Sequence, residues 1–95
     1  MNRYYVYLLS NHRDTVLYIG MTNDLKRRVW EHKHKANPKR FTVRYNCDRL
    51  VYFETYDSPE RALAREKELK RYKRIQKEAL IEQENATWRD LYEEL

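Results

Sequence analysis

The sequence predicts an α+β fold in which a three-stranded antiparallel sheet is flanked by helices, in the order β-β-α-β-α-α. Aromatic and β-branched residues crowd into the segments 3–10 and 15–20, and the same composition returns at 49–57. Between and after these predicted strands, apolar residues recur at the three- and four-residue spacing of helices. With 95 residues, the chain is expected to form a single domain over 1–95.

The composition narrows the class of protein. Hydrophobic residues make up 41% of the chain and charged residues 37%, which is typical of a folded globular domain. Because no apolar run is long enough to cross a membrane and no signal peptide is evident, we expect a cytoplasmic protein. Cys47, the only cysteine, cannot form an internal disulfide. The net charge of +5 is compatible with a polyanionic partner without requiring one.

The first two strands are expected to form a hairpin closed by a short loop. If Ser10 pairs with Thr15, Tyr7 lies directly opposite Tyr18. The two phenols then share one face of the sheet.

The first helix is expected to begin with Thr22 or Asn23 as its N-cap. Helical spacing places two apolar and two ionisable residues on one face of it: Leu25, Arg28, Val29 and His32. Charged groups on an apolar face need polar surroundings. The basic stretch 37–48 that follows is predicted to be a loop.

The second helical segment starts after the third strand, with Asp57 or Ser58 as its N-cap, and is expected to break near residues 72–75. Glu66 lies near the centre of its apolar stripe. A buried, unpaired carboxylate costs several kcal/mol, so it must be paired, protonated or bound to a cation. One interpretation is an ion pair with Lys70; the other is a polar site shared with the first helix. The stretch 85–95 is predicted to be a short capped helix.

Several motif residues follow one another in a characteristic order. The tripeptide YVY at 5–7 and YIG at 18–20 precede Leu25-x-x-Arg28-x-x-x-His32, and the glutamate lies in ALAREKELK at 62–70. Together these motifs resemble the GIY-YIG nuclease superfamily over nearly the whole chain. The small size is similar to that of its stand-alone, single-domain bacterial branch.

The resemblance implies roles for the strand motifs. Tyr7 corresponds to the tyrosine that ends the first motif, Tyr18 to the one that opens the second, and Gly20 to a glycine at which the backbone passes close to the site. The chain departs from the family pattern at two positions. Tyr5 replaces the first motif's glycine, so its opening turn is expected to differ, and Met21 stands where many members have a lysine that helps to ionise a tyrosine.

The resemblance also implies roles for the helix residues. Arg28 matches the catalytic arginine, and His32 stands where several homing and restriction members have a histidine. Glu66 matches the glutamate that supplies the only protein ligand of one divalent ion, Mg²⁺ or Mn²⁺. Asn85 is a candidate for the family's late asparagine, which contacts substrate; its alternative role is to cap the last helix.

The implied chemistry is hydrolysis of a DNA phosphodiester. Tyr7 is the preferred general base and Tyr18 the residue that orients water or phosphate, although the reverse assignment is open. A phenol with a pKa near 10 must lose its proton to act as a base, so cationic neighbours are expected to lower that pKa. Arg28 offers a planar fork for a phosphate, and His32 a hydrogen bond to a tyrosine or to the water.

Basic residues around the first helix end and along the later helix are possible substrate contacts: Lys33, Lys35, Lys39, Arg40, Arg44, Lys70 and Lys73. Phosphate contacts of this kind give sequence-independent affinity that falls with salt. Because glutamates are interspersed among them, a solvated helix face is the alternative interpretation.

Two classes of function fit the sequence. The first is a metal-dependent DNA endonuclease that acts on branched or damaged DNA, as in repair, because so short a chain has no second domain to recognise a long sequence. The second is a nucleic-acid-binding module that keeps the nuclease fold with little or no activity, as the changes at Tyr5 and Met21 suggest. RNA is not excluded as a substrate, and the oligomeric state is not predicted.

Overall fold

The computed structural model describes residues 3–95 and confirms the predicted α+β fold. Its strands form one antiparallel sheet in the order β2-β1-β3, so β1 is the central strand. The elements are β1 Tyr4–Ser10, β2 Leu17–Thr22, α1 Leu25–Lys33, α2 Phe41–Arg44, β3 Arg49–Tyr56, α3 Pro59–Lys70, α4 Arg74–Glu84 and a final 3₁₀ turn Tyr92–Glu94.

The β1–β2 hairpin has a different register from the predicted one. Ser10 pairs with Leu17, two residues later than expected, so Tyr7 lies opposite Gly20. The predicted pairing of Tyr7 with Tyr18 is therefore wrong. Because a slip of two residues preserves the face to which side chains point, the two tyrosines still share one face, with ring centroids 6.4 Å apart.

The side chain of Asn11 explains the longer hairpin loop. Its Oδ1 accepts hydrogen bonds from the backbone N–H groups of Thr15 at 2.8 Å and Val16 at 2.9 Å. Its Nδ2 donates to Thr15 Oγ1 at 2.7 Å. These bonds hold both residues in the loop, where Asp14 adopts a positive φ of 56°. The strand β2 consequently begins at Leu17.

The helix boundaries differ from the predictions in two places. The N-cap of α1 is Asp24, rather than Thr22 or Asn23, because its carboxylate accepts a hydrogen bond from Arg27 N at 3.2 Å. The segment predicted to be a loop before β3 contains the short helix α2. Ser58 caps the next helix, and the long helical segment divides into α3 and α4 as predicted.

The core lies on both faces of the sheet. Helices α3 and α4 pack on one face, in a cluster of buried residues comprising Val6, Leu8, Ile19, Val51, Tyr52, Ala62, Leu69 and Ile81. Helix α1 covers the other face, in a second cluster comprising Tyr7, Leu9, Leu25, Val29, Cys47 and Leu50. The candidate catalytic residues of β1, β2 and α1 therefore lie in or beside the second cluster, whereas α3 approaches from the opposite side.

The C-terminal segment runs along the outer edge of β3 instead of forming the predicted helix. Asp90 Oδ1 accepts from Leu50 N at 3.1 Å, and Leu91 N donates to Leu50 O at 2.7 Å. A positive φ of 56° at Trp88 directs the chain there. The predicted final helix is thereby reduced to one 3₁₀ turn.

Candidate active site

Gly20 lets the backbone of β2 pass directly beneath the hydroxyl end of Tyr7. A Cβ atom on residue 20 would lie 2.5 Å from Tyr7 Cζ, closer still to Tyr7 Oη, and 3.0 Å from Tyr18 Cε2. Gly20 does not have a positive φ, so the requirement for glycine here is space rather than backbone conformation. Tyr7 itself is fully buried.

His32 links Tyr7 to the short helix α2. Its Nε2 lies 3.5 Å from Tyr7 Oη, and its Nδ1 lies 2.7 Å from the hydroxyl of Thr42. Burial, followed by the guanidinium groups of Arg40 and Arg28, lowers the pKa of His32 to about 4. The imidazole is therefore neutral at pH 7, with one ring nitrogen donating and the other accepting.

The lowered pKa of His32 makes the stability of the protein depend on pH. The pKa of His32 is 6.5 in the unfolded chain and about 4 in the folded protein. Between these two pH values His32 is protonated in the unfolded chain but neutral in the folded protein. The contribution of neutral His32 to the free energy of unfolding is fully present above pH 6.5 and is lost as the pH falls toward 4. We expect urea unfolding to show a loss on the order of 2 kcal/mol between pH 7 and pH 5.

Two histidine variants test this origin. His32→Gln should abolish most of the loss, whereas His34→Gln, which replaces the exposed C-cap histidine of α1, should retain it. An equal pH dependence in native protein and His32→Gln would contradict the assignment.

Tyr7 is held in its protonated form. Burial, followed by the neighbouring phenol of Tyr18, raises the pKa of Tyr7 to about 12, although the cationic groups of Arg28 and Arg40 oppose this rise. Cations lie close enough to favour ionisation, but burial has the larger effect, so the predicted lowering of the pKa is wrong for Tyr7. A partly exposed phenol on the same face, Tyr18, is the one that solvent reaches.

Arg28 lies at the mouth of the site. Its Nε atom is 3.3 Å from Glu31 Oε1, and its side chain is 31% exposed. Glu31 also pairs with the more exposed Arg27 at 3.6 Å. A polar cavity of about 520 Å³ opens beside these three side chains and the first turn of α1. The guanidinium of Arg28 therefore borders open space as well as the carboxylate of Glu31.

Arg40 reaches the same site from the segment that precedes α2. It is half-buried and lines a smaller cavity of about 180 Å³ together with Glu31 and His32. In residues 3–95 its guanidinium forms no ion pair. Arg28 and Arg40 therefore provide two cations beside the buried phenol and imidazole.

Glu66 occupies a different side of the sheet from these residues. It lies on α3 between Ala62 and Leu69, which pack in the first core cluster. Its side chain is 15% exposed, and its Oε2 lies 3.5 Å from Lys70 Nζ, so the ion pair of the simpler interpretation is formed. Within the described chain no hydrogen bond or ion pair joins Glu66 to the other predicted catalytic residues, Tyr7, Tyr18, Arg28 and His32.

A cleft at the edge of β2 brings the two sides together. This cleft, of about 350 Å³, is lined by Tyr18 from the α1 side and by Lys70 from α3; the other lining residues are Leu17, Ile19, Phe41 and Lys77. Since Glu66 holds Lys70, its carboxylate is linked to the cleft by one side chain. Of the five predicted catalytic residues, Tyr7, Tyr18, Arg28 and His32 thus lie on one side of the sheet, near the edge cleft. Glu66 lies on the other side and is connected to the cleft only through Lys70.

The two departures from the family pattern have different consequences in the structure. Tyr5 lies within regular β1, paired with Thr22 and Thr55, so there is no special opening turn; its ring packs edge-on against Phe53 at 6.4 Å. Met21 faces the first core cluster, on the side of the sheet opposite Tyr7. Its replacement of a lysine therefore changes the α3 side of β2 rather than the surroundings of Tyr7.

Asn85 is a structural residue rather than a substrate contact or the cap of a last helix. It is buried at the C-terminal end of α4, and its Nδ2 donates to Val51 O at 3.1 Å and Arg89 O at 2.8 Å. Its Oδ1 accepts from Arg89 N at 3.1 Å. Val51 is the residue skipped by the irregular register of β1 with β3, so Asn85 satisfies a carbonyl that strand pairing leaves free. Both amide hydrogens are occupied within the fold.

Some of the predicted phosphate contacts form ion pairs within the protein, and the others do not. Lys33 forms an ion pair with Asp90 and lies over the ring of Tyr92, so it fixes the C-terminal segment and is not available to substrate, contrary to prediction. Lys70 pairs with Glu66. The remaining candidates form no ion pair in the part of the chain that the structure describes: Lys35, Lys39, Arg40, Arg44 and Lys73.

Sequence reasoning missed Thr42 and the aromatic residues of α2. Thr42 lies in a segment predicted to be a loop, and its contact with His32 depends on the path of that segment. Phe41 packs on Tyr18 with ring centroids 6.1 Å apart. The aromatic residues at positions 41 and 45, four apart, were the available signal for a helical turn.

Residues 3–95 contain neither a membrane-spanning helix nor a ready metal cluster. No helix in this range is both long and apolar enough to cross a bilayer. No group of three His, Cys, Asp or Glu side chains is positioned to hold a metal ion. The described residues thus offer single carboxylates rather than a preformed cage.

Comparisons with known proteins agree with the fold and motifs. A family model, described as the GIY-YIG catalytic domain, matches residues 3–79. A UPF0213 protein of Haloquadratum walsbyi is 39% identical over 83 residues, covering 87% of this chain and 92% of that protein. A UPF0213 protein of Staphylococcus epidermidis is 36% identical over 83 residues, covering 87% and 99%.

A solved structure has a similar fold over most of the chain. The solution NMR structure of a UPF0213 protein from Bacillus halodurans matches with a TM-score of 0.58 and 28% identity, covering 93% of this chain and 92% of that one. The matching domain indicates a nuclease-type function and therefore binding to nucleic acid. The matched residues 3–79 of this chain include the YIG tripeptide, Arg28, His32 and the helix that carries Glu66. The chain belongs to the GIY-YIG family.

Proposed function

We propose that this protein is a metal-dependent endonuclease that hydrolyses DNA phosphodiester bonds, with a preference for DNA structure or damage rather than a long sequence. The observation that carries the proposal is the arrangement around Tyr7. A neutral imidazole and two guanidinium groups lie near this phenol, and the adjoining Tyr18 lines an open cleft. Phosphodiester hydrolysis needs such groups to bind the phosphate, transfer a proton and stabilise negative charge.

The two guanidinium groups suit the phosphate. Arg28 exchanges its contact with Glu31 for two phosphate oxygens, which a planar fork binds in a bidentate manner. Arg40, free of ion pairs in residues 3–95, adds a second positive charge in the cavity that His32 also lines. Both cations act on charge that increases in the transition state, so they stabilise it more than the ground state.

The geometry favours Tyr18 as the phenol that meets the attacking water. Tyr18 is partly exposed in the edge cleft, whereas Tyr7 is fully buried and has a pKa of about 12. Tyr7 then acts as a positioning residue, placed over Gly20 and beside His32. This reverses the assignment preferred from the sequence, which gave the role of general base to Tyr7.

Glu66 fits a single hard cation. Its carboxylate is only partly paired, by Lys70 at 3.5 Å, and carboxylate oxygens are the ligands that Mg²⁺ and Mn²⁺ prefer. A bound divalent ion supplies charge neutralisation and lowers the pKa of water. Because one carboxylate is a weak site by itself, the remaining ligands are water and phosphate oxygens. Binding of substrate and cation is therefore expected to be mutually dependent.

A cleavage assay tests the proposal. End-labelled single-stranded, duplex, nicked, flapped and branched DNA should be incubated with Mg²⁺, Mn²⁺ or EDTA. We expect cuts in at least one substrate with either cation and none with EDTA, because the single carboxylate needs the cation to act on phosphate.

Arginine variants provide the control for that assay. Arg28→Lys should reduce cleavage by roughly 10- to 100-fold, since lysine has no bidentate fork. Arg27→Lys alters the other, more exposed partner of Glu31 and should leave cleavage near the native rate. Cleavage that responds equally to both substitutions, or that persists in EDTA, would argue against this mechanism.

A nucleic-acid-binding module without useful activity is the second candidate. The observation in its favour is that Arg28 and Glu66, two of the predicted catalytic ions, each have an internal partner. Binding of DNA without cleavage of any substrate in either cation would select this candidate over the nuclease.

A further inference from the structure

Three aromatic side chains form a continuous surface that leads away from the candidate active site; Tyr18, Phe41 and Tyr45 are here called the aromatic platform. The ring of Phe41 lies nearly parallel to that of Tyr18, at 27° and 6.1 Å. Tyr45 follows at 4.5 Å from Phe41. Phe41 and Tyr45 are each 46% exposed, which is unusual for adjoining large aromatics in so small a domain.

The short helix α2 positions two rings of the aromatic platform. Phe41 begins α2 and Tyr45 is its C-cap, with Tyr45 N donating to Phe41 O at 3.0 Å, so both rings leave the same side of one helical turn. Thr42, between them in sequence, is buried against His32. The turn that fixes the imidazole therefore also presents the two rings to solvent.

Basic side chains surround the platform. Lys70 and Lys77 line the edge cleft together with Tyr18 and Phe41. Arg44 is an exposed residue of α2 itself. In the described part of the chain, Lys77 and Arg44 form no ion pair. An apolar protein partner would gain nothing from these charges, whereas a polyanion with flat aromatic groups would use both features.

We infer that the aromatic platform binds single-stranded DNA by stacking unpaired bases on Phe41 and Tyr45, while Lys77 and Arg44 contact the backbone. In a duplex each base face is covered by its neighbours, so only unpaired nucleotides offer a free face to these rings. The inference deepens the proposed function and rests on it for one point: the strand bound here is the strand that enters the site at Tyr18.

Direct binding measurements in EDTA test this inference without any cleavage. Fluorescence anisotropy should be recorded for a labelled single strand and for its duplex, with native protein, Phe41→Ala and Tyr45→Ala. We expect native protein to bind the single strand more tightly, and each variant to lose roughly 5- to 100-fold in single-strand affinity, because stacking on one side chain has about that effect. Duplex affinity should change by less than about twofold.

Two further variants are the matched controls. Trp30→Ala removes an aromatic residue of the same 46% exposure that stacks on His34, outside the platform, and should bind like native protein. Phe41→Tyr keeps the ring and should retain single-strand affinity. Thermal unfolding checks that each variant is folded, which the exposure of Phe41 and Tyr45 favours.

The outcomes separate this inference from the proposed nuclease activity. Equal losses for Phe41→Ala and Trp30→Ala, or native binding to duplex as tight as to single strand, would overturn the platform even if cleavage is observed. Platform-dependent binding without cleavage in any cation would support the platform and overturn the nuclease proposal.

Discussion

Replacing Glu66 by glutamine is expected to reduce DNA cleavage by about 100-fold or more while DNA binding is retained. Glutamine has nearly the same shape, so the packing of a side chain that is 15% exposed should be preserved. The substitution removes the one charged oxygen ligand proposed for Mg²⁺ or Mn²⁺. It also releases Lys70 into the edge cleft, so DNA affinity should be unchanged or slightly higher.

Glu60→Gln is the matched control for this experiment. Glu60 is exposed and lies in the first turn of the same helix, and its replacement by glutamine changes the net charge by the same amount. Cleavage should be measured for both variants over a range of Mg²⁺ and Mn²⁺ concentrations, with anisotropy in EDTA as the binding readout. If Glu66→Gln and Glu60→Gln cleave at the same rate, Glu66 does not hold a catalytic cation.

Gly20→Ala is expected to lower the melting temperature by roughly 5–15 °C and to abolish activity. The new methyl group would overlap the end of Tyr7, whose ring is fully buried and cannot swing into solvent. Overpacking of this kind costs about 1–3 kcal/mol, and each kcal/mol shifts the melting temperature of a domain of this size by about 4–8 °C. Displacement of Tyr7 would also disturb its contact with His32.

A double-mutant cycle identifies the clash as the cause. In a Tyr7→Leu background the atoms nearest to the new methyl group are gone, so Gly20→Ala should cost little beyond the first substitution. Circular dichroism melts of the four proteins give the coupling free energy. Strictly additive losses would show that Gly20 is needed for a reason unrelated to Tyr7.

Short-range patterns predicted the elements and the faces of the site. Helical spacing placed Val29 and His32 on the buried side of α1, where the structure has them. Strand periodicity placed Tyr7 and Tyr18 on one face even though the register was wrong, because a two-residue slip leaves the faces unchanged. The slip itself came from the side-chain bonds of Asn11, a local feature that strand composition does not reveal.

Contacts between distant segments could not be predicted in this way. Lys33 was a candidate phosphate ligand from charge alone, but its partner Asp90 is 57 residues away. Asn85 was assigned from motif order, yet its amide satisfies the carbonyl of Val51 on a strand 34 residues earlier. Such pairings depend on how the C-terminal segment packs along β3, which no local spacing encodes.

The sequence by itself determined the three strands, the helices α1, α3 and α4, the family motifs and the presence of ionisable residues on apolar helix faces, because hydrophobic period and side-chain type are local properties. Only the tertiary structure decided which of those groups meet. In the folded chain His32 lies between Tyr7 and Thr42. Glu66 is paired with Lys70 on the other side of the sheet, and Phe41 is exposed beside Tyr18. The environment that sets a pKa or frees a ring for binding is made by segments far apart in the chain.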